Sequence, residues 1–245
     1  MRLDKLLSNL KYGSRTEIKS FVKKGLITVN GKVVKSADLD VKPETDLITL
    51  NNEQIYYKET IILAMHKPAG YLSANEDKKD PVVISLLKKP YDRFDFKICG
   101  RLDKDTEGLL ILTTSGDIQH EITHPKKHLD KIYEATLDKP FNDDAMQKLL
   151  NGVELTDTDG EIYFTAAKNL HYNSNKVEIT IDEGKFHQVK KMFAKVGFTV
   201  TYLKRIQIGE LKLDLELGKY KEIVLSDIKG KWTYANWTCC IHRWL

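Results

Sequence analysis

Gly100-Arg101-Leu102-Asp103 places a lone carboxylate between two cations, because Lys104 follows directly. Nearby positive charge favours the ionised form of an acid, so this group would stay a carboxylate at neutral pH, able to serve as nucleophile or base. Gly100 and Gly108 bracket the segment and suit a tight loop that delivers the side chain into a cleft. A surface Arg–Asp pair closing a loop fits the same spacing, and the spacing alone favours that plainer reading. Asp105 and Glu107 read as loop-solvating charges. His120-Glu121-Ile122-Thr123-His124 is a literal H-E-x-x-H, the pattern in which two histidines on one helix face hold zinc. Pro125 would stop the required helix almost at once, apolar support is limited to Ile118 and Ile122, and no third ligand is identifiable. No metal is expected. Ser115-Gly116 lacks the frame of a nucleophile elbow. His66 and His187 stand apart from any ligand set and read as structural, and Phe186 and Phe193 sit at helical spacing from Val189 and read as core.

The elements that would position Asp103 are mostly strands. Ile61–Met65 is a buried-strand run that ends in the turn His66-Lys67-Pro68-Ala69-Gly70-Tyr71, and a short helix is expected near Val82–Leu87. Lys97–Cys99 leads into the Asp103 loop and Leu109–Thr113 leaves it. Further strands are expected at Lys131–Leu137, Gly160–Leu170, Lys176–Asp182, Val200–Gln207 and Glu222–Ser226, with helices at Asn142–Asn151 and Lys185–Val196. Strands outnumber helices without regular βαβ alternation, so the fold class expected is α+β with a mixed, mainly antiparallel sheet.

The composition narrows the function classes. Of 245 residues, 41% are hydrophobic and 30% charged, which supports a buried core and excludes global disorder. The longest apolar run, Ile61–Met65, is far short of the ~20 residues needed to span a bilayer. Met1-Arg2-Leu3-Asp4-Lys5 carries no apolar leader, so secretion is not expected. Cys99, Cys239 and Cys240 form neither a disulfide framework nor a zinc pattern, and a reduced cytoplasm is expected. Net charge is +4, but residues 1–35 carry nine Lys/Arg against two acids while residues 36–60 carry two against six. Positive charge gathered in one short segment is the footprint of a polyanion binder, a solvated helix face being the alternative.

That basic segment has its own pattern. Leu3, Leu6, Leu7 and Leu10 have helical spacing; Ser14 and Glu17 make a capping box for a second helix that stops at Gly25. Leu26–Val29, Asn30-Gly31 and Lys32–Val34 read as a hairpin, with short strands at Leu47–Leu50 and Gln54–Tyr57. RLDKLLSNLKYGSRTEIKSFVKKGLITVNGKVV resembles the S4 RNA-binding domain over about the first 58 residues. Arg2, Lys5, Arg15, Lys19, Lys23 and Lys24 are then expected to neutralise RNA phosphates without reading bases.

The whole pattern resembles a larger family. HKPAGYLSA, GRLDKDTEGLLILTTSGD, HPKKHLDKIYEA, EGKFHQVKKMF and LKRIQIGELKLDLELGKY follow the order and approximate separations of RsuA-type ribosomal RNA pseudouridine synthases, over residues 1 to about 226. The resemblance implies an S4 domain at 1–58, a catalytic domain at 60–228 and an atypical Trp-rich tail at 229–245. It implies that Asp103 is the essential aspartate, that Tyr133 stacks on the target base, and that Lys190 pairs with Asp103. More distant synthases have arginine at the last position, and lysine cannot give the same two-pronged hydrogen bond. Leu203 is implied as apolar wall; Arg101 and Arg205 are expected substrate contacts, a loop-closing ion pair being an equal reading for Arg101. Lys126, Lys127 and Lys131 are expected on the RNA track, a solvated loop being the alternative.

Isomerising uridine to pseudouridine breaks N1–C1′, turns the base and forms C5–C1′, so no cofactor is expected. The implied partner is ribosomal RNA, with no membrane and a monomeric protein; the small-subunit 16S RNA is favoured over 23S RNA of the large subunit. The competing classes are a non-catalytic S4-containing RNA-binding or ribosome-assembly protein and a metal hydrolase built on His120 and His124. Joint presence of Asp103, Tyr133 and Lys190 speaks against the first, and Pro125 against the second. Trp232, Trp237, Trp244, Cys239 and Cys240 lie beyond the family pattern, where packing or no role is expected rather than base stacking.

Overall fold

The computed structural model describes residues 1–124 and 129–230. They form two compact units, Met1–Ile61 with Ile84–Phe96, and Ile62–Val83 with the chain from Lys97. The expectations for Lys126 and Lys127, and for the tryptophans and paired cysteines of the tail, lie outside the described residues.

In the first unit, α1 (Leu3–Asn9) buries Leu3, Leu6 and Leu7 against Ile18 and Val22 of α2 (Arg15–Lys23). The Ser14 hydroxyl accepts from the Glu17 amide at 3.3 Å while the Ser14 amide donates to the Glu17 carboxylate at 2.7 Å, the capping box anticipated from sequence. β1 (Ile27–Val29), β2 (Lys32–Val33), β3 (Ile48–Leu50) and β4 (Glu53–Gln54) make a sheet in the order β2-β1-β3-β4. Asn30 and Gly31 both adopt positive φ, 52° and 76°, as a tight hairpin turn requires. The segment Ile84–Phe96 joins this unit although the sequence pattern runs it on with the catalytic half. Phe94 packs on the core, Arg93 lies 4.1 Å over the Tyr12 ring, and Lys11 pairs with Asp95 at 2.6 Å. Arg15, Lys19, Lys23 and Lys24 are exposed, as is Lys5. Arg2 is exposed as well, and its guanidinium pairs with buried Asp4 at 2.8 Å and with Asp38.

The second unit is organised around one large sheet. Its elements, in chain order, are β5 (Ile62–Lys67), β6 (Lys97–Cys99), β7 (Glu107–Thr113), α3 (Gly116–Thr123), β8 (Lys131–Leu137), α4 (Asp143–Asn151), β9 (Val153–Thr156), β10 (Ile162–Thr165), β11 (Asn169–Asn173), β12 (Lys176–Ile181), α5 (Gln188–Lys195), β13 (Val200–Ile208), β14 (Leu211–Lys212), β15 (Tyr220–Glu222) and α6 (Leu225–Lys229). The strand order is β11-β12-β8-β13-β7-β5-β15, with β14 beside β13 and β6 beside β7. β13 runs parallel to β7, and the other named pairings of this sheet are antiparallel. β5 is buried at every residue, which is why its first four, Ile62–Met65, read as an unbroken apolar run. On α5, Val189, Met192 and Phe193 are buried, and Phe193 meets Phe141 edge-on at 5.6 Å. Burying a side chain of that size contributes about 2–3 kcal/mol. No helix among the described residues is long and apolar enough to cross a membrane.

Two local expectations are corrected and two take definite form. Gly160–Leu170 is not one strand but parts of β10 and β11, because β10 pairs back on β9 and β11 pairs on β12. Glu222–Ser226 is the end of β15 followed by α6: the Asp227 carboxylate accepts the Val224 amide at 2.9 Å and starts a helical turn that buries Ile228. The short helix expected at Val82–Leu87 is present as a 3-10 helix, Val83–Leu86. The H-E-x-x-H segment does enter a helix, α3, which Ser115 caps by accepting the Ile118 amide at 3.4 Å.

Candidate active site

The Asp103 loop lies between β6 and β7 and is held from beneath by the end of β5. Lys67 is fully buried, and its ammonium donates to the carbonyls of Thr106 (2.7 Å), Asp103 (3.0 Å), Pro68 (3.1 Å) and Lys104 (3.3 Å). Burial pushes the Lys67 pKa down to about 8. Ser73 donates to the Leu102 carbonyl at 2.8 Å and accepts its amide at 3.1 Å, and the Gly70 amide donates to the Lys104 carbonyl at 2.7 Å. The segment that reads from sequence as a simple turn is thus the cradle of the acidic loop.

Asp103 lines a crevice whose walls include Arg101, Tyr133, Lys190, Leu203 and Arg205. Its carboxylate meets Lys190 at 3.1 Å and His187 at 3.3 Å. Lys190 also donates to Asp105 at 2.6 Å. Desolvation opposes its charge most strongly, yet the hydrogen bonds and charges of Asp105 and Asp103 together raise the Lys190 pKa above its ordinary value. Hydrogen bonding from Lys190 in turn lowers that of Asp105. A single-point ammonium therefore serves two carboxylates, where a guanidinium would clamp one.

Strand register places the remaining walls. Arg205 on β13 is opposite Tyr133 on one side, in β8, and opposite Gly108 on the other, in β7. Leu203, two residues earlier on the same face, is buried beside them. Tyr133 and Arg205 are tied by a contact of 3.4 Å between guanidinium and phenol. Arg101 is exposed at the crevice wall and makes no ion pair among the described residues, which removes the loop-closing reading; Lys104 pairs instead with Asp80 at 2.6 Å.

Three residues differ from the expectations drawn from sequence. Asp105 is a partner of Lys190, not a solvating charge. His187 is brought to Asp103 from the left-handed N-cap of α5, with φ 54° and ψ 25°, a conformation that non-glycine residues hold only when their surroundings impose it. Phe186 is 53% exposed, and its ring stacks on His187 at 3.8 Å, so it is no core residue.

The RNA pseudouridylate synthase family model matches residues 61–195, and the S4 domain model matches residues 1–47. An uncharacterized RNA pseudouridine synthase of Bacillus subtilis is 40% identical over 235 residues, covering 93% of this chain and 97% of that protein. The chain belongs to the RNA pseudouridylate synthase family. Escherichia coli ribosomal small subunit pseudouridine synthase A is 34% identical to it, over 93% of this chain and 98% of that protein. A crystal structure of a pseudouridylate synthase superposes with a TM-score of 0.63 at 33% identity, covering 94% of this chain and 98% of that one. The synthase is thus an isomerase that acts on RNA, built as an S4 domain with an α+β catalytic fold.

The H-E-x-x-H segment of the synthase gathers no zinc-ligand set among the described residues. His124 leaves the helix in extended conformation, its ring sits edge-on to His120 at 4.7 Å, and Glu121 pairs with Lys229. Turnover is expected to be unchanged after dialysis against EDTA; complete loss that zinc restores would overturn this.

Proposed function

We propose that the synthase isomerises a uridine of small-subunit ribosomal RNA, with Asp103 as the reacting carboxylate. The observation that carries the catalytic part is the Asp103 side chain, salt-bridged to Lys190 in a crevice walled by Tyr133 and Leu203. Uridine must leave its stack before its ring can turn, so the pocket needs an aromatic platform and an apolar wall, the roles of Tyr133 and Leu203. Lys190 pairs with the acid and orients it in a partly desolvated site. Arg101, exposed beside Asp103, contacts the RNA. The carboxylate either attacks C1′ or removes the C2′ proton, and both routes use the same side chain. The reaction adds and removes no group, so it calls for no cofactor.

The small-subunit target is supported by relatives named ribosomal small subunit pseudouridine synthase A that match over nearly their whole length. Mapping pseudouridines in ribosomal RNA from cells with and without the synthase tests it: one site should vanish from 16S RNA. Loss from 23S RNA would move the target to the large subunit, and loss from neither would refute a ribosomal role. We place the synthase in the cytoplasm, working as a monomer on RNA; the buried free thiol of Cys99 fits a reduced compartment.

Lys5, Arg15, Lys19, Lys23 and Lys24 form the proposed phosphate-binding set of the S4 domain. Changing Arg15, Lys19, Lys23 and Lys24 together to glutamine should weaken RNA binding at least about tenfold near 0.15 M salt. The slope of log K against log salt should become shallower by about one for each phosphate that is no longer neutralised. Filter binding at several salt concentrations measures both, and an unchanged slope would contradict the assignment.

A further inference from the structure

Arg205 is only 2% exposed, yet no ion pair involves it among the described residues. Nε donates to the Leu109 carbonyl at 2.8 Å and Nη1 to the Tyr133 hydroxyl at 3.4 Å, while Nη2 is buried without a partner among the described residues. Asp182 and Glu183 line the adjoining hollow with it and Lys131, but neither is ion-paired to it. The Lys131 ammonium also lines the crevice, where it donates to the Leu129 and Asp182 carbonyls; burial first, and then the Arg205 charge, push its pKa down to about 8. A buried cation with an unused N–H is expensive unless something negative completes it. In the resting crevice the carboxylate at hand, Asp103, is already held by Lys190 and His187.

The reaction supplies the missing charge. When N1–C1′ breaks, its electron pair stays with the ring, and the resulting uracil anion spreads its charge over N1, O2 and, through the C5–C6 double bond, O4. The sugar carbon is meanwhile bonded to an Asp103 oxygen, or C2′ has given its proton to Asp103. C5 then attacks C1′, the carboxylate is released or returns the proton to C2′, and the C5 proton is lost as N1 gains one. Both routes pass through the same departing anion.

We infer that Arg205 is a catalytic residue that receives this anion, its free Nη2–H donating to a carbonyl oxygen of the uracil ring as the glycosidic bond opens. The inference rests on Asp103 as the reacting acid and adds the group that stabilises the leaving base. A donor fixed in advance where charge develops acts on the transition state more than on the bound substrate. The Leu109 and Tyr133 contacts hold the guanidinium in place.

The test uses full-length protein and [5-³H]uridine-labelled RNA from cells lacking it, with tritium release from C5 as the readout. Arg205→Gln should lower the single-turnover rate at saturating protein by about 10²–10³-fold, with RNA affinity within about threefold; Arg205→Lys should recover part of that loss. Fluorine at C5 makes the ring a better leaving anion. In RNA containing 5-fluorouridine, followed as consumption of that nucleoside, the deficit of both variants relative to wild type should therefore shrink. Loss from mere packing would be the same for both nucleosides, and an equal deficit overturns the inference. So does a wild-type rate for Arg205→Gln beside an inactive Asp103→Asn. Should Arg205→Gln fail to fold, the Arg205→Lys ratio between the two substrates decides. Activity retained by Asp103→Asn would instead bring down the reading of the acid itself.

Discussion

Asp103→Asn should lower pseudouridine formation by about 10⁴-fold or more while RNA affinity stays within a few-fold. The amide keeps the shape of the carboxylate but can neither bond to C1′ as a nucleophile nor accept the C2′ proton. The environment tolerates the change. Lys190 retains Asp105 at 2.6 Å, so no buried ammonium is stranded, and the loop backbone stays on Lys67 and Ser73. Loss of activity then reports on chemistry and not on folding, which a melting temperature within a few degrees of wild type would verify. Tritium release gives the rate and filter binding the affinity; a variant that turns over normally would remove Asp103 from the mechanism.

The largest stability effect is expected at Gly108. A Cβ built there would lie 2.3 Å from the Arg205 carbonyl oxygen and 2.4 Å from its amide nitrogen, and φ is +118°. Both obstacles are backbone, in the single parallel pairing of the sheet, and neither can swing aside as a side chain would. Gly108→Ala should cost about 3–5 kcal/mol, combining the unfavourable dihedral with the steric overlap. That corresponds to an apparent melting temperature roughly 10 °C lower for a protein of this size. Gly100→Ala is the control: φ is +77° but nothing lies within 4 Å of the added carbon, so only the dihedral cost of about 1–2 kcal/mol applies. Equal losses at the two positions would show that the strand contact is not what Gly108 protects.

The parts of the molecule legible in the sequence are those with a local or family-wide pattern. The capping box at Ser14, the hairpin at Asn30, the unbroken apolar start of β5 and the motif around Asp103 each announce themselves within a dozen residues. The mixed, mainly antiparallel sheet follows from strand count without βαβ alternation. What stays hidden depends on contacts distant in the chain. Lys67 reaches carbonyls nearly forty positions away, and a lysine beside proline and glycine carries no local mark of that duty. His187 comes within reach of Asp103 through a left-handed turn that its residue type does not advertise. For Arg205, alternation along a strand gives its face but not its neighbours; only the register against Tyr133 and Gly108 shows that this face is interior. Helix α6 is hidden because a short apolar stretch fits either element, and a single Asp227 hydrogen bond tips the choice.

The excursion Ile84–Phe96 has a consequence for handling the protein as parts. The polypeptide passes between its two units after residues 61, 83 and 96, so a nick at any one crossing leaves the units covalently linked through the other two. Shuffling the RNA-binding half onto another enzyme as a bead on a string would leave Phe94 and Arg93 without the core and the Tyr12 ring they lean on. A working chimera has to transplant both stretches of the first unit together.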